Sequence, residues 1–147
     1  MSTPGYGAPT TLEHLLEAFE FLEDWEDRYR FIMDLGRKLP PMPESEQVEE
    51  NLVHGCQSTV WVSAESPDGP EAPVRLRAHS DSDLVKGLAA MVIIMLSGRT
   101  AAEIATCDLE AQFSALGLHE HLSPTRSNGL HGMVRQVRSR AAALAAA

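Results

Sequence analysis

Apolar residues early in the chain recur at helical spacing. Leu12, Leu15, Leu16, Phe19 and Leu22 follow a 3.6-residue repeat, and Thr10 with Glu13 has the spacing of a capping box. A second helix is predicted from about Trp25 to Leu35, with Tyr29, Ile32 and Met33 on its apolar face and Gly36 as its terminator. Leu39-Pro40-Pro41-Met42-Pro43 cannot continue it, because proline fixes φ and lacks the amide hydrogen. The period then changes. Leu52-Val53 and Thr59 to Ser63 read as strand. After the turn signal Pro67-Asp68-Gly69-Pro70, Val74, Leu76 and Ala78 alternate with Arg75, Arg77 and His79 as a half-buried strand. Together these predict an antiparallel meander of about three strands.

Helical spacing returns at Ser80-Asp81-Ser82-Asp83, a cluster of N-cap residues. Leu84 to Leu96 is apolar nearly all round and ends at Gly98, as a central buried helix should. Thr100 and Glu103 form a second capping box. Phe113 and Leu116 fall on a short helix that Gly117 ends, and His119 and His121 follow in a predicted loop. Ser123-Pro124, a cap followed by proline at the first helical position, opens a final amphipathic helix through Leu130, Met133, Val134, Val137, Ala141 and Leu144. There is no internal repeat. The reading is a flexible tail over residues 1–9 and a single α+β domain over 10–147, a small antiparallel sheet of about three strands flanked by helices.

Composition narrows what such a domain does. With 44% hydrophobic and 22% charged residues the chain is globular rather than disordered. A net charge of −9 argues against binding a phosphate backbone. Acidic residues crowd the first fifty positions, whereas Arg126, Arg135, Arg138 and Arg140 gather near the end. The acidic half suits either a solvated surface or a basic partner. Met1 to Thr11 lacks the basic and apolar regions of a signal peptide, and Leu84 to Leu96 is too short to span a bilayer and contains Lys86. The expected location is the cytoplasm. In that reducing compartment the two cysteines, Cys56 and Cys107, are each either inert and buried or a working thiol.

Cys56 lies in Gly55-Cys56-Gln57-Ser58, at the join of two predicted strands. Glycine permits unusual backbone angles and close approach, and a thiol at a loop tip is reachable for in-line exchange. His54, two residues away, is a candidate helper. Spacing alone leaves Cys56 open to either reading. Cys107, in Ala105-Thr106-Cys107-Asp108 at a helix end, reads as inert. A zinc or cluster site would need three or four closely placed Cys or His ligands, and no Cys-x-x-Cys is present; His131 reads as a surface residue. No Gly-rich phosphate loop or Gly-x-Ser-x-Gly elbow occurs, so neither a cofactor nor a metal is implied. Asp81 reads as a helix cap or first-turn acid. Arg126, a cation in the first turn of a helix, is locally misplaced, which suits a salt bridge or an anion contact.

The run Asn51-Leu52-Val53-His54-Gly55-Cys56-Gln57-Ser58-Thr59-Val60-Trp61-Val62 resembles the signature of the SufE family of sulfur acceptors. Three further segments agree in order. They are Trp25 to Leu39 with Arg28-Tyr29 and Leu35-Gly36-Arg37-Lys38-Leu39-Pro40, then Ser80-Asp81 with Val85-Lys86-Gly87-Leu88, and Leu122-Ser123-Pro124-Thr125-Arg126-Ser127-Asn128-Gly129-Leu130. The likeness spans about residues 12 to 145. It implies an IscU-like fold and a protein that is not itself an enzyme. Such a protein accepts a persulfide from a PLP-dependent cysteine desulfurase of the SufS or CsdA type, stimulates it, and passes sulfur to a SufBCD-type scaffold. By the same resemblance Cys56 matches the acceptor, and Asp81 and Arg126 match supporting positions. The three-cysteine cluster site of IscU-type scaffolds is missing, which favours sulfur carriage over cluster building.

Overall fold

A computed structural model describes residues 8–54 and 58–146. Seven helices and one two-stranded sheet are formed among them. Helix α1 (Leu12–Phe21) begins at Thr11, whose hydroxyl accepts from the His14 amide, so the cap lies one residue beyond the predicted Thr10. Helix α2 (Trp25–Arg37) is capped by Asp24 and buries Ile32, Leu35 and Gly36. Gly36 does not terminate it. This glycine lies inside the helix because α3 passes too closely for a side chain: a Cβ there would stand 2.7 Å from the Gly87 nitrogen.

The proline segment leads into two short 3-10 turns, Glu44–Glu46 and Glu49–Asn51. Strands β1 (Val60–Glu65) and β2 (Arg75–Ser80) then pair antiparallel, with Val60 opposite Ser80 and Glu65 opposite Arg75. The α+β class stands, but the third strand is reduced to one bridge, Leu52 to Trp61. The 3-10 turn ending at Asn51 stops the pairing on the N-terminal side of Leu52. Leu76, Ala78 and Ser80 of β2 face the core in the expected alternation. Its other face is tied by ions: Arg77 reaches Glu46 at 2.6 Å and Glu65 at 3.1 Å, and the Ser63 hydroxyl donates to Glu46.

Helix α3 (Asp83–Leu96) is the buried centre, capped by Ser82, with eleven of its residues inaccessible. Gly98, at φ +82°, turns the chain out of it. Helix α4 (Ala101–Thr106) opens with the predicted capping box of Thr100 and Glu103. Helix α5 (Leu109–Ala115) is followed by α6 (Leu118–His121), a single helical turn where a loop was expected. Helix α7 (Pro124–Ala146) buries Leu130, Met133, Val134, Val137 and Ala141. It packs on α4, on β1 and on α3. Among the described residues no helix is long and apolar enough to cross a membrane.

Candidate functional site

Cys56, with Gly55 and Gln57, lies outside the described residues; the structure instead defines what flanks them. The Val53 amide donates to the Val60 carbonyl at 2.9 Å, so the chain leaves and returns at adjacent points. Helix α7 braces both limbs. The Gln136 amide donates to the Asn51 carbonyl at 2.7 Å and to the Val62 carbonyl at 3.2 Å, one acceptor on each side of the segment. Arg140 donates to the Glu50 carbonyl. One turn before Gln136, α7 carries Gly132, where a Cβ would stand 3.0 Å from the His54 carbonyl and 3.1 Å from Val53 Cγ1. The glycine lets the incoming limb lie directly on the helix.

Of the anticipated helpers, His54 points outward. Its side chain is 75% exposed, and Nε2 stands 3.9 Å from Glu49 Oε1, another exposed group. Asp81 is close to the outgoing limb: its backbone amide donates to the Thr59 carbonyl at 3.4 Å, which also receives the Ser80 hydroxyl at 2.8 Å. It is neither cap nor first-turn acid, since Ser82 caps α3 and Asp83 occupies the first turn. Its carboxylate is exposed, with no ion pair among the described residues.

Arg126 is half-buried in the first turn of α7, whose Ser123 cap accepts its amide at 3.3 Å. No carboxylate among the described residues pairs with it, so the structural salt bridge that was one of its two readings is not formed there. Its guanidinium instead borders a hollow of about 230 Å³ with Tyr29, Leu84, His121 and Ser123. Leu84 is in the first turn of α3, three residues after Asp81. The starts of α3 and α7, with Arg126, therefore surround one hollow. Unpaired amides and aligned dipoles make such helix starts favourable to negative charge. Trp25 stacks on His121 at 4.0 Å, and the Tyr29 hydroxyl donates to the His121 carbonyl, which fixes the far wall.

Cys107, read as inert, is 8% exposed at the end of α4. An Arg99 nitrogen stands 2.9 Å from its sulfur and the Gln112 amide 3.8 Å. His131, read as a surface residue, is half-buried against Glu110 at 2.8 Å. Among the described residues no group of three His, Cys, Asp or Glu side chains is placed to hold a metal.

The family model described as SufE, Fe-S metabolism associated domain, matches residues 13–141. The chain belongs to the SufE family. An uncharacterized SufE-like protein of Rhizobium meliloti is 42% identical over 133 residues, covering 90% of this chain and 95% of the relative. One from Rhizobium etli is 44% identical over 138 residues, 93% of each. A solution structure of a hypothetical protein from Thermus thermophilus shares the SufE-like fold at TM-score 0.75 and 26% identity, covering 92% of this chain and 96% of that one. Membership assigns the protein to Fe–S metabolism. Within this SufE domain, sequence reasoning missed the bracing role of Gly132 and Gln136. A glycine inside an otherwise good helix and a glutamine beside the apolar stripe were the available signals.

Proposed function

We propose that this SufE-family protein is a sulfur carrier that accepts a persulfide on Cys56. The donor is a PLP-dependent cysteine desulfurase of the SufS or CsdA type, and the recipient is a SufBCD-type scaffold. The Cys56 thiolate attacks the terminal sulfur of the donor's persulfide. A new S–S bond forms on Cys56, the donor's S–S bond breaks, and the donor cysteine departs as a thiolate. The protein turns over no substrate alone; it stimulates the donor by emptying it.

The observation that carries this reading is the pairing of the family match with a Gly-Cys-Gln-Ser segment held at both ends. Thr59 is three residues from Cys56, at most about 11 Å along the chain, and its carbonyl receives the Asp81 amide at the start of α3. The start of α3, to which Thr59 is tied, also borders the hollow of Arg126. The two helix starts and the guanidinium favour negative charge, which supports reading this end of the molecule as the place for a thiolate or persulfide anion. Asp81 and Arg126 are the supporting residues in this reading, and His54, being solvent-facing, has a lesser part.

The test is intact mass after incubation with a cysteine desulfurase and L-cysteine. One added sulfur atom, removed by a reducing thiol and absent in Cys56→Ser, is the expected result. No gain with an active, matched desulfurase overturns the carrier reading. Full stimulation of the desulfurase by Cys56→Ser would recast the protein as an allosteric activator that holds no sulfur.

A further inference from the structure

The first 27 residues contain seven carboxylates and no Lys or Arg. All seven carboxylate residues are exposed. The first cation, Arg28, is turned inward, donating to the carbonyls of Leu22 and Phe19. Among the acids stand two exposed apolar side chains of α1, Leu16 at 46% and Phe21 at 84%. Glu13 and Glu20 adjoin Leu16, and Glu17 adjoins Phe21, by helical spacing. Beside this ridge run two adjoining hollows, of about 310 and 320 Å³, that share Leu12, Leu16, Met95 and Arg99. Arg99 is the cation bordering them, and one of its guanidinium nitrogens is engaged with the Cys107 sulfur.

A lone exposed leucine needs no explanation, but an apolar groove rimmed along its open side by carboxylates marks an interaction surface. The charge selects its occupant. Anionic lipid headgroups and nucleic-acid phosphates are repelled by an acidic face. A second copy of this chain would bring the same carboxylates and a further net charge of −9. We infer that the α1 face docks a basic amphipathic segment of a partner protein, its apolar side chains against Leu12 and Leu16 in the groove and its Lys or Arg side chains on Glu13, Glu17 and Glu20. This is the helix-in-groove mode with an acidic rim, and it uses neither Cys56, Asp81 nor Arg126.

The test uses the full chain and three synthetic helical peptides: one of Lys and Leu, one with Glu replacing Lys, and one with Ala replacing Leu. Binding is read by fluorescence anisotropy and by amide chemical shifts. The Lys/Leu peptide is expected to bind, with shifts centred on α1, and the other two to bind at least about tenfold more weakly. Leu16→Ser and Glu17→Lys are each expected to weaken it by about five- to tenfold at unchanged melting temperature. No binding, equal binding of the Glu/Leu peptide, shifts centred elsewhere, or indifference to the variants would each overturn the inference. So would self-association of the chain that Leu16→Ser abolishes, which would make the face a contact between copies.

Discussion

Arg126 borders a hollow and makes no ion pair among the described residues. Its removal therefore separates stability from function. Arg126→Ala is expected to change unfolding free energy by no more than about 0.5 kcal/mol while slowing sulfur acceptance, measured by denaturant titration and by timed mass spectrometry. Gln136 is the opposite case. Gln136→Leu withdraws the donor from two carbonyls on either side of the Cys56 segment. A loss of about 1–3 kcal/mol is expected in the same titration, together with faster hydrogen exchange at the Val53 amide. Neither residue is distinguished by type. Arg126 was legible because a cation opens a helix, where the dipole disfavours it. Gln136 was not, because its role depends on which carbonyls the fold brings across α7. The Asp81 reading failed by one residue, since several adjacent polar side chains compete for one cap and the backbone bond to Thr59 decides among them.

Helices α2 and α3 approach until backbone meets backbone. A Cβ on Gly87 would lie 2.2 Å from the Ile32 carbonyl oxygen, a contact no rotamer relieves. Gly87→Ala must push the helices apart and is expected to cost about 1–3 kcal/mol or more by chemical denaturation. The capping box of α4 makes a pH prediction. The Thr100 amide and hydroxyl stabilise the charged form of Glu103, and its carboxyl sits below the ordinary value of 4.5. Stability from that charge is fully present above 4.5 and is lost as pH falls through the lower folded value. Glu103→Gln should flatten that acid limb of the melting-temperature profile, and an unchanged limb would remove Glu103 as its source. Helix extents were largely legible from the 3.6-residue period. The third strand was not, because apolar Leu52-Val53 looks the same in a strand as in a single bridge.

Across the whole molecule, one buried cluster runs from Leu15 to Ala141 through every helix of more than one turn. Cys107 belongs to it, so in a Cys56→Ser background a bulky thiol reagent should label the protein only as fast as it opens, with the rate rising in step with denaturant. Labelling at the rate of a free thiol would show that the α4 end is loose. The class, the central helix and the family were all readable from the chain, because each rests on local pattern or contiguous motif. The arrangement around the Cys56 segment was not, because it joins residues far apart in sequence. That separation has a consequence for biosynthesis. Gln136 leaves the ribosome about 80 residues after Cys56, an interval of about 4–16 s at ordinary elongation rates. Throughout that time the nascent limbs at Asn51 and Val62 lack the helix that will brace them, so the Cys56 segment is synthesised well before its flanks can close on α7.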